Sequence, residues 1–325
     1  MKLGIYGYGN VGKGVELACS QNKDVEIVGI FTRRDKNSIT PLLNTKVYNT
    51  SEIKDFKDKI DVLAICGGSA TELPTMTPEL ARDFNVVDTF DTHAKILEHF
   101  KSVDKVAKEN KHVALISCGW DPGMFSLNRL YANVLLPNGK DYTFWGRGIS
   151  QGHSDAIRRI DGVLDAKQYT VPIEDVVKKV LNGETPELTT RQKHLRECYV
   201  AAKEGADKNK IENEIKSMPN YFADYDTVVN FVTLDELKKN HSGMPHAGFV
   251  IRTGTTGKDN EHKHTISYNL KLDSNPEFTA QAIVAFSRAL YKEFKNGTTG
   301  CLTAFDIRPK DLFVGDYEDL LKHTL

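Results

Sequence analysis

Two short stretches carry residue types that could bind a phosphorylated ligand. Gly7-Tyr8-Gly9-Asn10-Val11-Gly12 is a G-x-G-x-x-G run, placed after the apolar LGIY and before a stretch with helical spacing. In such a loop the first glycine permits a tight turn and the second lets backbone approach a pyrophosphate. The third lets helix and strand pack closely, and the first N–H groups of the helix meet the anion. The second stretch, FTRR, closes the apolar run VEIVGIF with Arg33 and Arg34. An acidic residue usually stands there to hold the two hydroxyls of an adenosine ribose. Two guanidinium forks suit a 2'-phosphate instead, and Asp35 comes one residue late, behind both cations. The pattern is read as NADP(H) over NAD(H). The plain alternatives are a ligand-free glycine turn and a solvated basic turn.

A third candidate stretch, Cys66-Gly67-Gly68-Ser69-Ala70-Thr71, follows the apolar DVLAIC. If that run is a parallel strand, Cys66, Gly67, Ser69, Ala70 and Thr71 sit at the carboxyl edge, where such sheets bind ligands. The same reasoning picks out Trp120 and Asp121 after HVALIS. A carboxylate there can act as a general acid or base, and a tryptophan can pack a substrate's alkyl chain. Each has a plain reading too. Asp121 can cap a helix that Pro122 starts, and Trp120 can be a core ring, while Asp88 and Asp91 at the end of NVVD can cap a turn.

These stretches require strands that alternate with helices. Candidate strands are 2–6, 25–31, 61–66, 85–88 and 112–117, with helical spacing over 11–20 and 94–110. Runs that are apolar along their whole length argue for a parallel sheet covered on both faces. After Cys118 the strand-like segments RECYVAA, TVVNFVTL, GFVIRTG and HTISYNLKL are longer and more polar, as in an antiparallel sheet with one wet face. Helical stretches fall at 173–182, 207–217 and 277–295, the first closed by Gly183. The expected fold class is α/β, a Rossmann-type dinucleotide-binding domain plus an α+β substrate and dimerisation domain with a mostly antiparallel sheet. Its boundaries are read as 1–118, 119–299 and a C-terminal segment 300–325 that packs back on the first domain.

Composition excludes several classes. With 43 basic and 44 acidic residues among 325, the net charge of -1 gives no footprint for nucleic acid. No apolar run approaches the ~20 residues of a membrane span. Five widely spaced cysteines form no C-x-x-C pair, so neither a disulfide framework nor a zinc site is supported, and a cytoplasmic location is expected. His241, His262 and His264 lack the spacing of metal ligands.

The blocks GYGNVG, FTRR, VDTFDTH, SCGWDPGMF, FWGRGISQGHSDA, QYTVP, GMPHAG and LKLDSNPEF occur in this order along nearly the whole chain. Together they closely resemble the meso-diaminopimelate dehydrogenases, NADP-dependent amino-acid dehydrogenases of lysine and cell-wall precursor synthesis. Small departures are Cys118 inside the S-x-G-W-D block and a longer loop around 258–264. The resemblance implies hydride removal from the D-configured carbon of meso-diaminopimelate to NADP+. Hydrolysis of the imine then gives ammonia and L-2-amino-6-oxopimelate, which cyclises to tetrahydrodipicolinate. It also implies that Arg196, Thr170 and His246 hold the distal, L-centre carboxylate, with Asn275 lining that pocket. Asp88, Asp91 and Asp121 would serve the reacting end, with Asp91 or Asp121 as proton acceptor. Trp120 and Trp145 would wall the cavity, which Gln151 and Gly152 reach from the SQG loop. The family's second domain dimerises, so a homodimer is expected. Two competing readings remain, an NADP oxidoreductase acting on another D-amino acid or of dihydrodipicolinate-reductase type, and a non-catalytic NADP(H) sensor.

Overall fold

Runs of Val, Ile and Leu without polar alternation form parallel strands buried on both faces. In this computed structural model, which describes all 325 residues, the chain forms fourteen strands, β1 to β14. Seven build one all-parallel sheet in the order β14-β6-β5-β4-β1-β2-β3. They are β1 (Lys2–Tyr6), β2 (Glu26–Thr32), β3 (Val47–Asn49), β4 (Val62–Ile65), β5 (Val86–Asp88), β6 (Val113–Leu115) and β14 (Gly300–Leu302). The order reverses at β1, which pairs with both β2 and β4, so the loops after β1 and β4 flank the switch point where such sheets bind ligands.

One face of the sheet packs on the helices Leu73–Leu80 and Ile96–Glu109, the other on Asn10–Gln21 and Asn275–Lys295. That last helix changes the domain division. The chain separates into a first unit, Met1–Leu127 with Pro276–Leu325, and a second unit, Asn128–Asn275. The sequence reading had placed 277–299 in the second domain and begun that domain at 119. Ala280, Ile283, Val284, Phe286, Ala289 and Leu290 instead share a core with Leu3, Ile5 and Val15. Gly14 permits the contact, since a Cβ there would lie 2.8 Å from Pro276 O and 3.0 Å from Ala280 Cβ.

The second unit contains two sheets rather than one. β8 (Gly148–Ile149), β9 (Val163–Pro172), β10 (His194–Ala202) and β11 (Asp226–Phe231) pair in the order β11-β10-β9-β8. Within it β10 and β11 run parallel and the other pairs antiparallel. β7 (Gly139–Trp145), β12 (His246–Thr256) and β13 (His262–Leu272) form an antiparallel sheet in the order β13-β12-β7. The helix Glu174–Leu181 ends at Asn182, and Gly183 follows at φ +90°, the left-handed position that glycine adopts without strain.

Candidate active site

The glycine loop leaves β1 at Gly7, whose φ is +94° and whose N–H donates to Phe31 O at 2.8 Å. A Cβ on Gly12 would stand 2.2 Å from Gly7 O, so only glycine lets the helix come this close to the turn. A Cβ on Gly9 would meet nothing within 4 Å, which leaves open space beside the backbone of the middle glycine. The helix Asn10–Gln21 begins with no side-chain cap and no acidic residue in its first turn. Its dipole and N–H groups therefore favour an anion. Val11 turns inward to the core. Tyr8, also expected at the cofactor, departs from that expectation. Its ring is buried, and its hydroxyl bonds Glu16 and accepts from Leu42 N at 2.9 Å. Burial and the Glu16 partner push the phenol up to about 12, so Tyr8 reaches the surface of the loop only through its backbone.

Arg33 and Arg34 follow β2 at the same edge. Arg34 Nη2 donates to Tyr8 O at 2.5 Å, which ties the arginine pair to the glycine loop. Asp35 does not stand in for the ribose acid, because its carboxylate accepts from Asn37 N at 3.0 Å and caps a 3-10 turn. Arg33 pairs with Glu72, a residue that the sequence reading passed over. Glu72 also accepts from Gly68 N at 2.6 Å. The Gly68 N–H, reinforced by Arg33 and opposed by partial burial, holds its carboxyl below the ordinary glutamate range. One carboxylate thus joins the arginines to the loop carrying Gly67, Ser69, Ala70 and Thr71. The available signal was an acid placed just before the helix Leu73–Leu80, four residues past Gly68. Cys66 follows β4 with its carbonyl 3.0 Å from where a Gly7 Cβ would be, and burial pushes its thiol up to about 12. Its contribution is shape.

At the end of β5 the two aspartates part. Asp88 is 0% exposed, and four groups donate to or share a proton with its carboxylate. They are Thr77 Oγ1 at 2.7 Å, His99 Nε2 at 2.7 Å, Ser117 N at 2.9 Å and Phe90 N at 3.0 Å. A carboxylate so enclosed ties β5 to three neighbouring segments and cannot reach a substrate, so we remove Asp88 from the catalytic candidates. Asp91 is exposed beyond the strand, and its backbone N–H donates to Ser69 Oγ at 2.8 Å. That bond joins the loops after β4 and β5.

After β6 the chain makes a compact turn. Gly119 N–H donates to Pro122 O at 2.9 Å, and Phe125 N–H donates to Trp120 O at 2.8 Å. Gly123 has φ +122° and sits so close that a Cβ would lie 2.0 Å from Gly119 O. The turn holds Trp120 nearly buried, edge-on to Phe125, with Asp121 partly exposed beside it. Pro122 was expected to start the next helix. It lies inside this turn instead, after a cis peptide bond, and the helix begins at Met124.

In the second unit the expected carboxylate anchors converge on one row of a sheet. Gly148 on β8 pairs with Thr170 on β9, which pairs with Arg196 on β10. Arg196 Nη1 hydrogen-bonds Thr170 Oγ1. A Cβ on Gly148 would strike the His246 ring at 2.6 Å, so glycine lets that imidazole lie against the row. Trp145 stands edge-on to His246 at 6.4 Å. Burial lowers the His246 pKa, which favours the neutral ring. His194 is lowered to about 4 by burial and by the nearby Arg196 charge. The neutral His194 accepts the Trp145 N–H at 2.8 Å on Nε2. Gln151 and Gly152 are exposed in the first turn of the helix Gln151–Arg158, which Ser150 caps. Asn275 N–H donates to Met244 O at 2.9 Å, which holds it near the 244–246 segment.

Arg196 is the charge that stands out. It is 7% exposed, its Nε has no hydrogen-bond partner, and it makes no ion pair with an acidic residue. Burying a cation without a counter-ion costs several kcal/mol, about 3–5 when a buried pair loses one partner.

A parallel sheet with a glycine turn and a basic pair at its switch point, in a chain that also carries a buried cation without an acidic partner, fits the class of nicotinamide-dependent oxidoreductases. Comparison with known proteins narrows the class. The family described as the diaminopimelic acid dehydrogenase C-terminal domain matches residues 119–274. The meso-diaminopimelate D-dehydrogenase of Acetivibrio thermocellus is 61% identical over 100% of this chain and 98% of its own length. That of Ureibacillus thermosphaericus is 54% identical over 100% of this chain and 99% of its own length. Among solved structures, the C. glutamicum DAP dehydrogenase in complex with DAP is 43% identical, covers 100% of this chain and 99% of its own, and superposes with a TM-score of 0.92. An engineered D-amino acid dehydrogenase bound to NADP+ is 41% identical over 100% of this chain and 99% of its own, with a TM-score of 0.88. The chain belongs to the meso-diaminopimelate D-dehydrogenase family.

Proposed function

We propose that the protein carries out the reversible NADP-dependent oxidative deamination of meso-2,6-diaminopimelate at its D-centre, giving L-2-amino-6-oxopimelate and ammonia. The observation that carries this reading is the buried Arg196, which bonds Thr170 and has no acidic partner, in the same row of the sheet as Gly148, against which His246 lies. A guanidinium, a hydroxyl and a neutral imidazole together offer a carboxylate the mixed donors it needs. A substrate with a carboxylate at each end can use that anchor while its other end reacts.

The fit of the cofactor rests on this chain's own residues. Gly7, Gly9 and Gly12 bring backbone close to a pyrophosphate, the first turn at Asn10 and Val11 offers N–H groups, and Arg33 with Arg34 takes the 2'-phosphate. Gly67, Ser69, Ala70 and Thr71 line the neighbouring loop. The nicotinamide, when bound, supplies the hydride acceptor. The substrate ammonium must lose a proton before hydride can leave, and Asp91 or Asp121 takes it. Trp120 excludes water from the reacting end, while Trp145, Gln151, Gly152 and Asn275 shape the distal end. Holding the carbon in place contributes the remainder of the acceleration.

The protein is further read as a cytoplasmic homodimer. Its five cysteines are free thiols, and no helix is long and apolar enough to cross a membrane. Leu130, Tyr131, Val134 and Leu135 stay exposed along one helix of the single chain, which suits burial against a second copy.

Steady-state kinetics of Arg196→Met test the carrying observation. Loss of the charge-assisted contacts should raise KM for meso-diaminopimelate by roughly 10- to 1,000-fold. The Kd for NADP+ should stay the same, and an unchanged KM would refute the anchor.

A further inference from the structure

Resting on the anchor just described, we propose that Tyr225 is the positioning residue of the distal carboxylate site. Its ring faces the Arg196 charge and sets no competing carboxylate against the N–H groups that the substrate needs.

The guanidinium carbon of Arg196 lies 3.8 Å from the centroid of the Tyr225 ring. A cation over an aromatic face is held by the ring quadrupole, and the attraction strengthens when water is excluded. An acidic partner would do the same job with opposite consequences. It would occupy the in-plane donors of the fork and repel an incoming carboxylate. A neutral ring and hydroxyl, both of which interact with Arg196, leave the fork without a competing negative charge. The unpartnered Arg196 Nε fits that arrangement, since a buried donor is retained open where a ligand completes it. Thr227, next to Arg196 in the β10–β11 register, carries a buried hydroxyl that is likewise unpartnered.

The ring is held in place from outside the site. Tyr225 N–H donates to Phe222 O at 2.9 Å, and Phe222 is 0% exposed in the core of the second unit. Arg191 clamps both sides of the same segment, pairing with Asp226 Oδ1 at 2.6 Å and donating to Ala223 O at 3.0 Å. Tyr225 thus acts through Arg196.

Tyr225→Leu and Tyr225→Phe separate the π face from simple packing. In Tyr225→Leu, KM for meso-diaminopimelate should rise roughly 3- to 30-fold, with kcat and the Kd for NADP+ within about 2-fold of the parent. Tyr225→Phe, which keeps the ring, should restore KM to within about 2-fold. In an Arg196→Met background, Tyr225→Leu should add nothing further. A normal KM in Tyr225→Leu beside a raised KM in Arg196→Met would overturn the role of Tyr225 and leave the anchor standing. A normal KM in Arg196→Met would overturn the anchor itself. If Tyr225→Leu does not fold, Tyr225→Met decides by the same criteria, and failure of both to fold would make the ring a packing element and refute the inference.

Discussion

Glu72 joins Arg33 in an ion pair while its other oxygen accepts the Gly68 N–H at 2.6 Å, so one carboxylate fixes both the basic pair and the loop after β4. Arg33 remains largely exposed within that pair, at 62% of its side chain, and is therefore available to a ligand. An exposed pair contributes only about 0–1 kcal/mol. A dianionic 2'-phosphate can outcompete it for the guanidinium.

The first expectation follows directly. On the proposed reading, Arg33→Ala combined with Arg34→Ala removes two charge-assisted contacts to the 2'-phosphate, a group that NAD+ lacks. Binding of NADP+ should weaken roughly 10- to 1,000-fold, and that of NAD+ by much less. Titration of both cofactors by calorimetry checks this. Equal losses would reassign the arginines to a contact common to the two.

Asp88 and Asp121 should respond in opposite ways. Asp88→Ala leaves His99, Thr77 and two backbone N–H groups of the first unit without their acceptor, and should cost about 3–5 kcal/mol of stability. Asp121→Ala should leave the melting temperature nearly unchanged while turnover falls by about 10²- to 10⁴-fold. Denaturant melts and single-turnover rates on both variants distinguish the roles. A stable Asp88→Ala would contradict the buried network, and a fully active Asp121→Ala would make Asp121 a turn residue and leave Asp91 as the acceptor.

Much of this division was legible in the sequence, and the exceptions have physical reasons. β3 and β14, three residues each, were too short to show a pattern, while the glycine run, the arginines and the other five of the seven strands of the first unit depend on local spacing and appeared where that spacing put them. Asp88 did not, because its enclosure depends on Thr77, His99 and Ser117, which only the folded sheet brings together. The helix Asn275–Lys295 was visible, but periodicity reports that a face is buried and not against what. Gly14, with Pro276 and Ala280 against it, was the trace of that contact. Arg196 and Thr170 were named by the family resemblance, whereas Tyr225 was not, because only the fold lays its ring against the guanidinium.

Acid should weaken the fold through histidines held neutral. His153 and His194 are both lowered to about 4, chiefly by burial and then by the Arg196 charge. In the unfolded chain they titrate near 6.5 and so bind more protons than the native state below that pH. The stability they contribute is complete above about pH 6.5 and is lost as pH falls toward 4. His194→Gln, which keeps an acceptor for the Trp145 N–H, should flatten the decline in melting temperature between pH 7 and pH 4.5. An identical decline in variant and parent would show that His194 takes no part in it.

The central claim is tested most directly by absorbance at the reduced-nicotinamide band, with meso-diaminopimelate and either NADP+ or NAD+ at mildly alkaline pH. LL-diaminopimelate and D-alanine serve as controls. The account predicts a signal with the meso isomer and NADP+, and little or none in the other combinations. Turnover of D-alanine without turnover of meso-diaminopimelate would contradict it in favour of another D-amino acid. Tight NADP+ binding with no turnover of any substrate would contradict it in favour of a sensor.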